Sequence, residues 1–374
     1  MVGKDEVELL LSDDLISRIM VQTCRQSGLS VVYTELMDFD GAEIYFNEEK
    51  DLVGKTFGEA VSAYEDSAVM GMQYSNGEVK VNPAMDTVFK NGDKVIAITE
   101  DDDTLVIKKN HKPDVDSALM SSMEIPAAAP EKTLILGWNN RGEIIVRGLN
   151  NYVKPGSEVV VISQSAESDA LKEMRSALHN IKLTYKQDDS TKRSVIDSTN
   201  PTSFDHIIIL SYKDQMDTQE ADSQTLITLL HLRAIAEETE QDLNIVSEIM
   251  DMRNRELAEV TKADDFIVSD KLLSLLMSQV SENKQLMRVF EDLFDADGSE
   301  IYLKPVSHYV KAGSPVNFYN VVESAKQKGE IAIGYRIQKD AFDSSKAYGV
   351  KVNPNKSEKI TYSNEDKIIV IAED

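Results

Sequence analysis

The strongest constraint on this chain is that it carries one module twice. Residues 12–45 (SDDLISRIMVQTCRQSGLSVVYTELMDFDGAEIY) align without a gap on residues 269–302 (SDKLLSLLMSQVSENKQLMRVFEDLFDADGSEIY), with fifteen identities in thirty-four positions. The register returns at the end of each copy, where DKVIAITED, ending at Asp101, matches DKIIVIAED, ending at Asp374. A repeat of this length makes each copy one structural unit and places everything else relative to it. Between the copies runs an alternation of strand-like and helix-like segments, so the order is end-module, α/β unit, end-module. A symmetric ancestor would carry an α/β unit before residue 6 as well, which leads us to expect a piece of a longer protein.

The first copy opens with an apolar strand at residues 7–11, then a helix for which Ser12 is the expected N-cap. Leu15, Ile16, Ile19 and Met20, and later Leu29, Val32 and Leu36, recur at helical spacing, and Gly28 separates the two helices. Short strands follow from Glu43 to about Ile107, with a tight turn at Asn91-Gly92-Asp93. Residues 109–131 hold three prolines and no sustained period, so they read as a linker. Beyond Thr133, the runs 134–136, 159–162, 207–210 and 245–246 are continuously apolar, and each precedes a helix-compatible segment. Continuous apolarity means strands covered on both faces, hence a parallel sheet with right-handed crossovers. Residues 266–268 close that sheet and begin the second copy. The expected fold is therefore α/β, a Rossmann-like parallel-sheet unit flanked by two small α+β lobes. Its parts are residues 1–108 (strand, helix-turn-helix and β-rich lobe), the linker, residues 132–264 (Rossmann-like unit) and residues 265–374 (the second helix-turn-helix and lobe).

Composition narrows the function. Sixty-five acidic against forty basic side chains give a formal charge of −25, which repels a phosphate backbone, so no nucleic-acid partner is expected. No apolar run reaches the roughly 20 residues of a membrane span. The single cysteine, Cys24, cannot form an internal disulfide and fits a reducing compartment. Its counterpart in the second copy is Ser281, which argues against a shared catalytic thiol. The five histidines are scattered, with no nucleophile elbow, so the chain is not expected to be an enzyme.

Two candidate sites remain. Gly137, Asn139 and Gly142, in LILGWNNRG, occupy the strand-to-helix position of a dinucleotide fingerprint. That fingerprint is degraded: Asn139 stands where a glycine lets pyrophosphate approach, and the next strand ends without a ribose-binding acid. Bound NAD is not expected, and the glycines are accounted for by packing. The second candidate is a cation site at the carboxyl ends of the strands, where open parallel sheets bind ligands. Asp222, placed at the start of a helix, and Glu248, placed at a strand end, would come to one rim, with Asp251 as a third ligand for a hard cation such as calcium. The same residues equally suit a helix N-terminal acid and a salt-bridge partner. The DFDGAE and DADGSE segments are read as turns, because the glutamate follows too early for a calcium loop.

A degraded Rossmann unit, a strand-helix-turn-helix connector and a small β-rich lobe resemble an RCK module, the regulator of potassium conductance. The wording at LISRIMVQ, GDKVIAITEDDDT, GW, FDHIIIL, ADS, the stretch 226–233 and IGYR is similar to the CASTOR/POLLUX branch of cation channels, over nearly all of the chain from about residue 7. The resemblance implies the C-terminal part of one subunit: the last portion of a first module and all of a second. It implies a cytoplasmic, soluble gating-ring region, tetrameric through tandem RCK modules and coupled to a membrane pore domain. It also implies calcium sensing, with Asp222 and Glu248 matching acidic positions of calcium-gated relatives, although Met250 stands where those relatives can place another glutamate. The helix pairs 13–36 and 270–293 are expected to be the surfaces on which modules pair. The alternative is a TrkA-like nucleotide-binding regulatory subunit of a potassium transporter.

Overall fold

The computed structural model describes residues 12–39, 41–108, 113–121, 123–259, 265–296 and 298–373. The strand expected at residues 7–11 lies outside them. Two compact units are present, each discontinuous in sequence: Met1–Ser30 with Ala127–Met277, and Val31–Pro126 with Ser278–Asp374.

The first unit is built on a six-stranded sheet in the order Asp265–Val268, Ile245–Ile249, His206–Ile209, Lys132–Leu136, Ser157–Ser163, Ile181–Gln187. Every neighbouring pair in it is parallel. The central strands are the apolar runs of the sequence, buried on both faces, with Leu134, Leu136, Ile207, Ile209, Ile245 and Ile249 at 2% exposure or less. Leu229, Leu232 and Ile235 of helix Thr218–Thr239 pack onto this core. Ile181–Gln187 is a strand that the apolar-run criterion does not find. It lies at the sheet edge and alternates buried and exposed positions along IKLTYKQ, because one face meets water.

Helix Ser12–Arg25 also belongs to this unit. Ile16, Ile19 and Met20 are fully buried, and Val21 sits against Gly148 of helix Gly142–Tyr152, whose missing side chain leaves room for it. The apolar face expected to pair modules is thus covered, along this helix, by the chain's own α/β unit. The helix is tied at its C-terminal end. Arg25 reaches Glu131 at 3.1 Å, Glu131 meets His206 at 3.2 Å, and Asn244 donates to the Cys24 carbonyl at 2.9 Å. The turn that follows, where Gly28 has φ of 93°, is held by buried Asp265, which accepts from the Gly28 and Ser30 backbone N–H groups and from the Ser30 hydroxyl.

The second unit holds the two end-lobes. Each is a four-stranded antiparallel sheet of one topology: Glu43–Asn47, Lys94–Thr99, Ala68–Gln73, Val79–Val81, and Glu300–Pro305, Lys367–Ala372, Ile331–Arg336, Val350–Val352. Both sheets are irregular at the same place, before Gly71 and before Gly334. A Cβ at either glycine would lie 2.7 Å or 2.3 Å from the carbonyl oxygen of Lys80 or Lys351, so the close strand approach demands glycine. Equivalent asparagines cross between the lobes reciprocally: Asn82 donates to the Gly329 carbonyl at 3.2 Å and Asn353 to the Asp66 carbonyl at 2.9 Å. No helix among the described residues is long and apolar enough to cross a membrane.

Candidate functional site at the carboxyl rim of the parallel sheet

The rim of the six-stranded sheet carries a buried polar network centred on Glu248. This residue lies in strand Ile245–Ile249 and is fully buried, so its charge has to be met inside the protein. Asn139 donates to its Oε2 at 2.8 Å and the Ser211 backbone N–H to the same oxygen at 3.0 Å. The Arg141 guanidinium donates to Oε1, and the Ser269 hydroxyl lies 3.4 Å from that atom. Arg141 is 4% exposed; it also donates to Ser269 Oγ at 2.8 Å and, through Nε, to Asp13 of helix Ser12–Arg25 at 2.8 Å. Burial works against the charged form of Asp13, but hydrogen bonds from Arg141 and Asn140 and the charges of Arg141 and Lys213 outweigh it and hold the carboxyl below its usual range.

The glycine loop is absorbed into this network. Gly137 has φ of 87°, and a Cβ there would lie 2.1 Å from the Leu210 carbonyl oxygen; a Cβ at Gly142 would lie 2.6 Å from the Trp138 ring. Asn139 donates to the Ser211 carbonyl at 2.7 Å and accepts from the Arg141 N–H at 3.0 Å. Both glycines are therefore fixed by internal contacts, and the Asn139 and Arg141 side chains are engaged in holding strand ends together.

Asp222 occupies a separate place. Helix Thr218–Thr239 starts with Asp217 as N-cap, so Asp222 lies more than a turn inside it and not at its start. It is fully buried and accepts from the backbone N–H groups of Met250 at 2.9 Å and Asp251 at 3.0 Å, and from Asn254 at 2.7 Å. It thus anchors the chain as it leaves strand Ile245–Ile249 and enters helix Met252–Glu259. Asp251 is bound by Arg253 and by Gln219 at 3.3 Å, and the Arg253 hydrogen bonds hold its carboxyl down to about 2. The structure brings Asp222 and Asp251 together through a backbone bond, while among the described residues Glu248 shares no hydrogen-bond partner with either.

Calcium needs about six to eight oxygens at close range. In this arrangement the three carboxylates do not fit it, because N–H and O–H donors cover their oxygens and a guanidinium fills the space before Glu248. Among the described residues, no group of three or more His, Cys, Asp or Glu could hold a metal ion. Arg141 and Asp13, which the sequence reading did not select, complete the site. The signal for Arg141 lay in the degraded fingerprint itself, where a cation follows Asn139 in a loop that otherwise would admit a phosphate.

A family model described as "Castor and Pollux, part of voltage-gated ion channel" matches residues 13–116, and the TrkA-N domain model matches residues 133–269. Probable ion channel POLLUX of Oryza sativa subsp. japonica is 29% identical over an alignment taking in 100% of this chain and 42% of that protein. Ion channel CASTOR of Lotus japonicus is 28% identical, across 100% of this chain and 47% of that protein. The chain is similar to CASTOR/POLLUX-type RCK regions over its whole length. It spans less than half the length of the curated relatives it matches. The human SLO3 gating ring superposes with a TM-score of 0.73 at 12% identity, covering 99% of this chain and 77% of that one, so the RCK region has a gating-ring fold.

Proposed function

We propose that this RCK region is the ligand-sensing part of a CASTOR/POLLUX-like cation channel, lying on the cytoplasmic side and working beside a membrane pore domain in a tetrameric ring. The observation that carries this reading is an apolar surface on two consecutive helices of the α/β unit. Ile227 and Leu230 of helix Thr218–Thr239 are 44% and 56% exposed, and Met252 and Leu257 of helix Met252–Glu259 are 42% and 60% exposed. Large apolar side chains exposed on neighbouring elements suit an association surface, and the gating-ring fold supplies its natural partner, another copy of the chain. Calcium is the ligand the resemblance assigns, and gating requires that it bind one ring shape better than another. Asp222, Glu248 and Asp251 would have to rearrange to share it.

Sedimentation velocity on the whole chain tests the assembly, with and without calcium. We expect oligomers that Ile227→Asp with Leu230→Asp converts to monomers; a wild-type chain that stays monomeric at tens of micromolar refutes the ring. Calorimetric titration of calcium into wild type and an Asp222→Asn, Glu248→Gln variant tests the ligand, and equal heats remove these residues from its site. The TrkA-N match favours one second reading, a nucleotide-binding regulatory subunit. Thermal stabilisation by NAD, NADH or ATP in place of calcium would establish it, since only a true ligand stabilises by mass action.

A further inference from the structure

We propose that Arg141 is a latch, the internal cation for which Glu248 is built, and that it ties helix Ser12–Arg25 to the carboxyl rim through Asp13. What the latch does for a channel rests on the gating-ring reading above, but the latch itself rests on geometry. One guanidinium spans two carboxylates from elements far apart in sequence, Glu248 at the end of a central strand and Asp13 in the first turn of the connector helix. The two ends differ in exposure. The Glu248 side chain is 0% and the Arg141 side chain 5% exposed, whereas the Asp13 side chain is 38% exposed and is shared with Lys213 at 3.3 Å and Asn140 at 2.7 Å.

Separating Glu248 from Arg141 would strand a buried charge, which is costly; separating Asp13 from Arg141 returns a half-exposed carboxylate to water, which is cheap. The network is therefore asymmetric. Its inner pair is the costlier to part, and its outer pair is the one that opens first. Opening frees the first turns of the connector helix, whose C-terminal end stays tied by Arg25, Glu131 and Asn244. The signal thus enters at the Asp13 end, where solvent ions and neighbouring charges have access.

Hydrogen exchange on the whole chain tests this. Asp13→Asn removes the outer pair together with the charge that Lys213 shares, leaves Glu248 matched, and so preserves the fold. We expect the amides of residues 16–20, the first that the helix itself hydrogen-bonds, to exchange about tenfold faster in Asp13→Asn than in wild type, while strand Ile245–Ile249 is unchanged. Raising salt should speed the same amides in wild type but not in the variant, a response that a mere packing contact does not give. Equal exchange at residues 16–20 in both proteins, at low salt, overturns the latch. Arg141→Lys keeps the charge but loses the forked geometry, and wild-type protection of residues 16–20 in that variant likewise counts against it. Failure of the calcium reading leaves these results standing, and calcium heat with unchanged exchange sinks the latch alone.

Discussion

Lys356 is a position where the two lobes differ with a direct physical consequence. It is 1% exposed, and its ammonium donates to the carbonyl oxygens of Tyr64 and Ser67 of the other lobe, each at 2.6 Å. Burial is the main effect on it; the charges of Asp66 and Glu65 oppose burial but are outweighed, and its pKa falls from the usual lysine range to about 7. The corresponding residue of the first lobe is Met85, whose carbonyl accepts from Gly58 as that of Lys356 accepts from Tyr319. Replacement by methionine therefore asks what the amine contributes, and the pH dependence isolates its charge. Below pH 7 the lysine is protonated both folded and unfolded. Between pH 7 and 10.5 the unfolded chain holds a proton that the folded one has released, so stability rises with pH by about 1.4 kcal/mol per unit.

Buried tyrosines, raised above their usual range by burial, reverse this trend above pH 10, and Cys24, raised to about 12, does so above pH 9 in the other unit. The clean window is pH 7 to 9, worth about 3 kcal/mol. Lys356→Met also strips a donor from two buried carbonyls, a loss of about 1–3 kcal/mol for each that finds no other partner, but that loss does not vary with pH. The assay is urea unfolding at pH 7, 8 and 9, followed by circular dichroism because Trp138 lies in the other unit and reports on that one. The midpoint of the wild type should climb relative to Lys356→Met across the window. Parallel pH curves would refute the reasoning, because they would mean that the lysine keeps its proton in the folded lobes.

Acid should act on the first unit through Glu131. Burial alone would raise its carboxyl, but hydrogen bonds from His206 and Arg25 and their charges outweigh burial and bring it down to about 2. Its contribution is present above pH 4.5 and is lost as pH falls towards 2, about 3 kcal/mol in all; Glu131→Gln should flatten that limb of an acid titration followed by Trp138 fluorescence. Gly137→Ala should cost about 2–4 kcal/mol in urea unfolding with no ligand present, since its Cβ would lie 2.1 Å from a backbone oxygen at φ of 87°. An alanine variant as stable as wild type would mean that the glycine is not there for packing.

The duplication and the apolar runs made the lobes and the parallel core legible, because both are patterns of burial with a fixed period. The edge strand Ile181–Gln187 escaped because its alternation is that of a surface, and the start of the long helix was missed because its cap, Asp217, precedes the apolar periodicity by several residues. The site was legible only by half. Placing Glu248 at a strand end needs only the strand; knowing what covers its oxygens needs Arg141, 107 residues away, and Ser211, 37 away. A carboxylate awaiting a cation and one already holding a guanidinium have the same local sequence. Only tertiary structure separates them.

What the two copies kept in common argues for how the lobes work together. Asn82 and Asn353 both have φ of 46°, a left-handed conformation costing roughly 1 kcal/mol in most side chains and less in asparagine. Each sends its amide to a backbone carbonyl of the opposite lobe. Strain that recurs at equivalent positions, with a reciprocal bond at each, is held by the pairing of the lobes and not by either lobe alone. Lys326 crosses from the second lobe to the Ser62 hydroxyl of the first at 3.2 Å, and Arg288 to the Gly77 carbonyl at 2.6 Å. The paired lobes are thus tied by contacts in both directions, and Lys356, buried where the first lobe has Met85, departs from that symmetry. The connector helix differs in kind, since one of its ends is tied by an ion pair that water can reach, and motion should begin there and not between the lobes.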